Sequence, residues 1–552
     1  MVSESTDLII TNADVHTCDS TSSRAEAVAV SGGLITAVGA AADVAALATR
    51  GTDVVDVGGR MVMPGLIDIH AHLLTGGTAI TWELPLQPED TLDDILTAVR
   101  AHAKITPPDE WIIGGVVGSS VMDRLAEGGY LPALDAAAGG RPVLLRDHSY
   151  HNRWVNSKAL QLMGVDRNTP NPPDGTIVRD RDGGLTGVLY ESACTVAERA
   201  ATASISDPAA RDRVAMRNAI EHMNSFGITA VQDAATLEPS LRALSELDDA
   251  NGLTSWIVAS LPARPWMSDA TVGPQLYAAA VQHRRAQVRP DFAKLFLDGV
   301  PTTRTSALLE PYICHGAHED PADTGPLFWT DSELIAELEL CQEAGLGAKL
   351  HATGDRSVRQ ALDAFEVMRQ RHGTQSIFHI AHVEYVAPAD VSRFAALGVV
   401  ADASPYIWFP TPFEGSIKNQ VPPSIFDRSW PLRELLDHNA LLAAGSDWPI
   451  VPTPNPWNAL ETLVTRASPD SRVGGRTNPA GAITLREGIM AFTSSGARAM
   501  GMADTIGALV PGRSADFIVL DQNLFDVDTS AIHRTEVLQT YFRGRRVHGT
   551  EL

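Results

Sequence analysis

The chain has 552 residues, of which 44% are hydrophobic and 20% are charged, and its formal net charge is -24 at pH 7. This length exceeds one simple domain, the composition excludes bulk disorder, and the acidic surplus argues against nucleic-acid binding because it repels phosphate. Four scattered cysteines, together with no leader-like or membrane-length apolar run in the sequence, predict a soluble protein of the cytoplasm.

Short apolar runs separated by turn residues occupy both ends of the chain. In the N-terminal part the turns contain Gly32-Gly33 and Gly58-Gly59, and the C-terminal part repeats this style. The pattern is typical of β-hairpins. We expect residues 1–64 and 502–552 to form the two parts of one composite β-sandwich, and two independent sheet extensions are the alternative.

Apolar strand candidates alternate with helical stretches through the middle of the chain. The eight candidates are residues 66–72, 229–233, 255–261, 293–298, 348–352, 377–382, 399–403 and 441–446. This alternation indicates a parallel α/β domain. Eight units predict a (β/α)8 TIM-like barrel over residues 65–501, with its active site at the carboxyl ends of the strands. A doubly wound open sheet is the alternative.

One interval between the first two strand candidates is far longer than an ordinary crossover. It covers about residues 76–225 and contains strand candidates of its own at 111–117 and 142–147. We interpret it as an inserted subdomain that covers the mouth of the barrel.

The first strand candidate ends in two histidines, His70 and His72, within MVMPGLIDIHAHL. Residues two apart on a strand point to the same face, so both imidazoles can bind one metal ion. Histidines at this spacing also occur by chance. The rest of the chain must therefore supply further ligands.

Further candidate ligands lie at other predicted strand ends. They are Lys294 on the fourth strand, His351 on the fifth, His382 on the sixth and Asp447 after the eighth. Imidazoles and a carboxylate suit zinc, and they also accommodate iron, nickel or manganese. His379 competes with His382, but its spacing predicts that it faces the opposite side of the strand and packs against a helix.

Asp447 has two compatible roles, namely binding the metal and exchanging a proton with water. The alternative is a helix-capping aspartate, which Pro449 two residues later makes less favourable.

The chain resembles the metal-dependent amidohydrolase superfamily, and within it amidohydrolase family 3, the YtcJ-like enzymes. The resemblance rests on PGLIDIHAHL, HATGDRSVRQALDAFE, GSDWP and PGRSADFIVLD, and it covers nearly the full length. It implies a (β/α)8 barrel with a composite β-sandwich, and hydrolysis at a carbon bonded to nitrogen.

The resemblance also implies roles for particular residues. By position, the family's metal-binding histidines correspond to His70, His72, His351 and His382. Asp447 resembles the catalytic aspartate and also counts among the predicted metal ligands. Lys294 lies where binuclear members carry a carboxylated lysine that bridges two metals, and the alternative is a buried lysine paired with an acid such as Asp298. His151 resembles a family histidine in the insertion, and we expect it to face the substrate.

Aromatic residues cluster after the seventh and eighth strand candidates, among them Trp408 and Trp448. They predict a pocket for a small apolar or aromatic molecule, and ordinary loop packing is the alternative. Arg304 either neutralises a substrate carboxylate or pairs with Glu310.

Together these residues predict a metal-dependent hydrolase that cleaves an amide-like C–N bond through a metal-activated hydroxide. We expect one or two divalent ions, zinc first among them, a small-molecule substrate, and neither nucleic acid nor membrane as a partner. A homodimer is left open. The alternatives are a non-hydrolytic reaction on the same scaffold, such as decarboxylation, isomerisation or iron-dependent oxidation, and a non-catalytic ligand-binding protein.

Overall fold

A computed structural model describes residues 6–19, 21, 23–147, 152–173, 175–265, 270–314, 320–407 and 412–551. The chain divides into two compact units, one formed by Met1–Leu73 with Ile220–Leu552 and the other by Leu74–Ala219. Among the residues described, no helix combines the length and apolar character that crossing a membrane requires.

The larger unit is built around an eight-stranded parallel sheet. Its strands, here called barrel strands 1 to 8, are Leu66–Ala71, Ile228–Asp233, Trp256–Pro262, Val288–Phe296, Gly347–Ala352, Phe378–His382, Val399–Ala403 and Leu441–Ala444. Each strand pairs with its neighbours in chain order. A doubly wound sheet would reverse that order at a switch point, so the sheet order confirms the barrel prediction and excludes the open sheet.

Backbone hydrogen bonds bring the loop after barrel strand 8 back to barrel strand 1. The Asp447 amide donates to the His70 carbonyl at 2.6 Å, and the His72 amide donates to the Trp448 carbonyl at 2.8 Å. The eight strands therefore form a nearly closed barrel.

Helices follow the barrel strands, as the alternating pattern predicts. They are Glu238–Asp249, Gly273–Ala280, Asp331–Glu343, Asp355–His372, Pro388–Leu397, Pro412–Lys418, Pro423–Phe426, Leu432–Asp437, Pro456–Thr465, Leu485–Ala491 and Ser494–Ala499. A capping box between Thr330 and Glu333 begins the helix before barrel strand 5.

Gly65 marks the point where the chain enters the barrel. It joins the strand Met61–Pro64 to barrel strand 1, and a Cβ at this position would lie 2.2 Å from the Thr229 hydroxyl oxygen. Only glycine permits this approach between the first two barrel strands.

Strands from both chain ends share a six-stranded sheet in the larger unit. Its strands are Asp14–His16, Arg24–Ala25, Met61–Pro64, Phe517–Leu520, Val537–Phe542 and Arg545–His548. A four-stranded sheet contains Leu8–Thr11, Ala27–Ser31, Leu34–Gly39 and Asp53–Asp56. Side chains of both sheets, including Leu8, Val30, Val62 and Phe517, form one buried apolar cluster.

The smaller unit has its own six-stranded sheet and its own apolar core. The strands are Leu84–Pro85, Ile112–Val117, Val143–Asp147, Asn152–Val155, Gly175–Arg179 and Leu185–Glu191. The helices are Leu92–His102, Ser119–Ala126, Leu131–Ala138, Ser157–Leu162 and Ala193–Ala203, and the segment is bounded by the helices Leu73–Trp82 and Pro208–Ser225. Its predicted position over the barrel mouth stays a prediction.

Candidate active site

The two histidines of barrel strand 1 meet Asp447 from the loop after barrel strand 8. One ligand atom from each of His70, His72 and Asp447 lies within 4.8 Å of the others. The Asp447 Oδ1 atom is 3.2 Å from Nε2 of His72 and 3.7 Å from Nε2 of His70. The structure thus brings together the HxH pair and the aspartate on which the sequence prediction depends.

Asp447 is almost fully buried, yet its environment keeps it ionised. Burial raises the pKa of the carboxyl group, but interactions with the surrounding side chains, first among them the hydrogen bond with His72, lower the pKa by more. The net result is a pKa well below the usual value for aspartate. At neutral pH this side chain is therefore a carboxylate that can bind a cation or accept a proton.

His382 and His351 complete a cluster of four imidazoles. The ring centroid of His382 lies 4.8 Å from that of His70 and 4.6 Å from that of His351. Burial lowers the pKa of both His351 and His382, so these rings are neutral at neutral pH and retain a lone pair.

Hydrogen bonds decide which nitrogen of each ring faces the cluster. Nε2 of His351 lies 2.9 Å from the Gly299 carbonyl, which can only accept, so Nε2 carries the hydrogen and Nδ1 keeps its lone pair. Nδ1 of His382 contacts the Ser404 hydroxyl at 3.1 Å, so Nε2 is the nitrogen of this ring that is not engaged by Ser404.

Asp298 fixes the loop that follows His351 and barrel strand 5. Its carboxylate accepts hydrogen bonds from the backbone amides of Ala307, Thr353 and Gly354 and from the Ser357 hydroxyl. The alternative partner that the sequence offers for Lys294 is Asp298. The carboxylate is instead occupied by these donors just beyond barrel strands 4 and 5.

Lys294 lies inside the barrel next to the HxH pair. Its Nζ atom is 3.1 Å from Nε2 of His70, and the residue is 1% exposed. Burial and the positive charge of Lys349 lower the pKa of Lys294 to about 7. The amine is thus close to the ligand atoms of the predicted metal site and is largely deprived of water.

Two further charged residues, which are not among the predicted ligands, also reach this site. Lys349 on barrel strand 5 and Asp402 on barrel strand 7 are both completely buried, and their side chains are 2.5 Å apart. Asp402 also lies 3.2 Å from Nδ1 of His70. A signal was present, since each residue interrupts an apolar strand, GAKLHA or VVADA.

His379, the competitor of His382, does not join the four-histidine cluster. Its Nε2 atom is 2.9 Å from the carbonyl of Ala499, at the end of the helix Ser494–Ala499, and its ring packs edge-on against Phe292. The spacing from His382 predicts that His379 faces away from the cluster and packs against a helix, and this contact agrees with that prediction.

The backbone at two site residues departs from ordinary strand geometry. His382 has φ 78° and Asp447 has φ 62°, both in the left-handed region that side chains disfavour. Such conformations cluster at functional sites, where the surrounding structure holds them. Both residues end or follow barrel strands, so the turn of the backbone directs their side chains toward the cluster.

The structure describes two of the four predicted substrate-binding residues, Trp448 and Arg304. Trp448 is 2% exposed and packs against the ring of His222, with centroids 5.4 Å apart. The Arg304 guanidinium lies 3.3 Å from the Asp323 carboxylate. Its ion-pair partner is therefore Asp323 and not Glu310, which was the predicted alternative. The remaining two, His151 and Trp408, lie outside the described residues.

The donors present fit a divalent metal ion. Burial, reinforced by the charge of Lys294, lowers the pKa of His70 to about 3, so its imidazole is neutral at neutral pH. Neutral imidazoles and an ionised carboxylate are the ligands that zinc prefers in proteins. The group His70, His72 and Asp447 could therefore hold a metal, and the adjacent His351 and His382 could extend the ligand set.

Gly445 permits the close packing behind this ligand set, and we expect its replacement by alanine to reduce stability. A Cβ at Gly445 would lie 2.5 Å from the backbone nitrogen of His70 and 2.6 Å from the His70 Cβ. Relieving such contacts typically costs about 1–3 kcal/mol of unfolding free energy. Denaturant unfolding of Gly445→Ala measures the loss. Gly39→Ala is the matched control, since a Cβ there would meet no atom of the described residues within 4 Å, and equal stability of both variants would contradict the expectation.

Comparison with known proteins places this site in a family. The sequence profile of the amidohydrolase family matches residues 53–548. The N-substituted formamide deformylase of Arthrobacter pascens is 28% identical over 98% of this chain and 97% of its own length. The putative amidohydrolase YtcJ of Bacillus subtilis is 26% identical over 90% of each chain. The fold also matches the crystal structure of an uncharacterized metal-dependent hydrolase from Pyrococcus furiosus, with a TM-score of 0.74, 24% identity, and coverage of 94% of this chain and 99% of that one. The predicted resemblance is therefore confirmed. This chain is a hydrolase that acts on carbon–nitrogen bonds, and it belongs to the amidohydrolase family.

Proposed function

We propose that this protein hydrolyses an amide-like C–N bond in a small apolar or aromatic molecule, using divalent metal held at the carboxyl ends of the barrel strands. The proposed ligands are His70, His72, Lys294, His351, His382 and Asp447. The observation that carries the proposal is the convergence of four imidazoles on one buried, ionised aspartate. Zinc is the first candidate because it favours this combination of donors.

The metal would supply Lewis acidity, which polarises a carbonyl and lowers the pKa of water. Asp447 would receive a proton from the attacking water, because its ionised carboxylate lies beside the proposed ligands, with Oδ1 3.2 Å from Nε2 of His72. The same oxygen then donates that proton to the leaving nitrogen, which departs as a neutral amine. The imidazoles of His70, His351 and His382 are buried, which limits the access of bulk water to this proton transfer.

Lys294 is proposed to carry a carboxylated amine. In that step the lone pair of the neutral Nζ amine bonds to the carbon of carbon dioxide and the nitrogen releases one proton, so that a neutral amine becomes a carbamate anion; the ammonium form must first lose a proton of its own. Two observations support the modification: the position of Lys294 in the family resemblance, and the 3.1 Å distance from its Nζ to Nε2 of His70. An anion at this position can bridge two metal ions, whereas a buried ammonium would repel them.

The proposed substrate class is an N-substituted formamide or a related small amide with an apolar substituent. The similarity to the formamide deformylase over nearly the full length of both chains supports this choice. Apolar side chains also stand exposed in the loops after barrel strands 4 and 8, namely Val300, Leu309 and Ile450. Loops at this face of a barrel line the substrate pocket, so they favour an apolar substituent.

A substrate screen tests this function. We expect release of formate or another carboxylate, with stoichiometric amine, from a panel of N-formyl and N-acyl aromatic amines, amino-acid amides and cyclic amides. Liquid chromatography with mass spectrometry measures both products. Oxygen consumption, or carbon dioxide release without hydrolysis, would contradict amide hydrolysis.

We also propose how the chain is divided into a β-sandwich and a barrel. Residues 1–64 and 502–552 would form one β-sandwich, as the apolar cluster shared by the two sheets supports, and residues 65–501 would form the barrel with its insertion at about 76–225. We also place the enzyme in the cytoplasm. The homodimer stays a prediction.

A further inference from the structure

A buried ion pair lies inside the barrel next to the proposed ligand His70. Lys349 belongs to barrel strand 5 and Asp402 to barrel strand 7, and both are 0% exposed. The Lys349 ammonium donates to the Asp402 carboxylate at 2.5 Å and to the Ile69 carbonyl at 2.6 Å. The pair therefore connects strands 5 and 7 to strand 1, one residue before His70.

The same Asp402 oxygen that contacts Lys349 also contacts His70. Oδ2 of Asp402 lies 3.2 Å from Nδ1 of His70. The Lys349 ammonium, which donates a hydrogen bond to this oxygen at 2.5 Å, favours the ionised form of the Asp402 carboxyl group. An ionised carboxylate can only accept hydrogen bonds, so Nδ1 of His70 carries the hydrogen.

The consequence for His70 is a fixed ring orientation. With its hydrogen on Nδ1, a neutral imidazole keeps its lone pair on Nε2, the nitrogen 3.7 Å from Oδ1 of Asp447. A carboxylate behind a ligating histidine is a general means of fixing its tautomer and of making it a stronger ligand.

We infer that Lys349 and Asp402 are positioning residues, which hold His70 so that its Nε2 lone pair faces the metal site. Asp402 orients the imidazole, and Lys349 holds the Asp402 carboxylate in place and neutralises its charge. This inference rests on the proposed function, because it concerns the strength of metal binding by His70.

The test uses paired substitutions, since removing one member of a buried ion pair leaves an uncompensated charge, whereas replacing both with apolar groups is often tolerated. The full-length double variant Lys349→Met with Asp402→Leu removes the acceptor behind His70. Lys349→Met with Asp402→Asn returns a neutral acceptor to the same position. Asp516→Asn is the control, because this buried carboxylate accepts hydrogen bonds from Trp256 and Arg543 in a different part of the larger unit.

Zinc affinity of the metal-free proteins is measured by competition with a chromophoric chelator, alongside the thermal midpoint of each variant. We expect zinc binding about 10- to 100-fold weaker in the Met/Leu variant, substantial recovery in the Met/Asn variant, and wild-type affinity in Asp516→Asn.

A folded Met/Leu variant with wild-type zinc affinity would overturn the positioning role, and so would an equal loss of affinity in the Asp516→Asn control. Failure of the wild-type protein to bind zinc would be a different result, since it would overturn the proposed metal site together with this inference.

Discussion

Replacement of Asp447 by asparagine is expected to lower kcat by about 10²- to 10⁴-fold while the protein keeps most of its metal. The substitution preserves the shape of the side chain but removes the carboxylate that receives and returns a proton. The proposed ligands His70, His72, His351 and His382 would remain. Steady-state kinetics on a substrate identified by the screen, with metal content measured on the same preparation, checks both parts of this expectation.

Asp516→Asn again provides a matched control, because it makes the same chemical change in a buried aspartate away from the cluster. We expect this control to keep wild-type turnover. If Asp447→Asn turned over substrate as fast as the wild-type enzyme, the proton-transfer role of Asp447 would be wrong. Loss of turnover together with all of the metal would instead limit Asp447 to the role of a ligand.

Removal of the metal is expected to have the largest effect, namely loss of essentially all turnover. Without it, the imidazoles and Asp447 have nothing with which to polarise a carbonyl or to lower the pKa of water. Dialysis against a strong chelator, followed by assay before and after addition of zinc, measures the loss and its recovery. A parallel sample dialysed without chelator controls for inactivation during handling.

Metal removal should also lower the thermal midpoint, because an ion that binds only the folded state stabilises it. Differential scanning calorimetry with and without chelator measures the shift. Full activity in a preparation shown to be free of metal would contradict the mechanism, whatever its effect on stability.

The barrel was accessible from the sequence because its strands are buried on both faces. Such strands appear as short apolar runs between helices, and all eight predicted runs coincide with barrel strands, with boundaries that differ by a few residues. Strand 4 shows the largest difference, since it begins at Val288 rather than Ala293. The HxH spacing likewise places His70 and His72 beside Asp447, as predicted.

Contacts between distant parts of the chain were not accessible in the same way. Alternation along a strand assigns the faces of its residues only while the backbone stays extended, and His382 departs from that geometry with φ 78°. The partner of Arg304 is Asp323, which lies 19 positions later in the chain, beyond the reach of any local pattern. The contact of Asp402 with His70 joins residues 332 positions apart, which no local pattern encodes.

Elemental analysis by plasma mass spectrometry, on protein purified without chelator or added metal, tests the central claim most directly. We predict about two divalent ions per chain in the wild-type protein, and fewer in Lys294→Ala, because the proposed carboxylated lysine would help to hold both ions. A constant value near one ion in both proteins would contradict the bridging role of Lys294. Catalytically active protein that contains no bound metal would contradict the account as a whole.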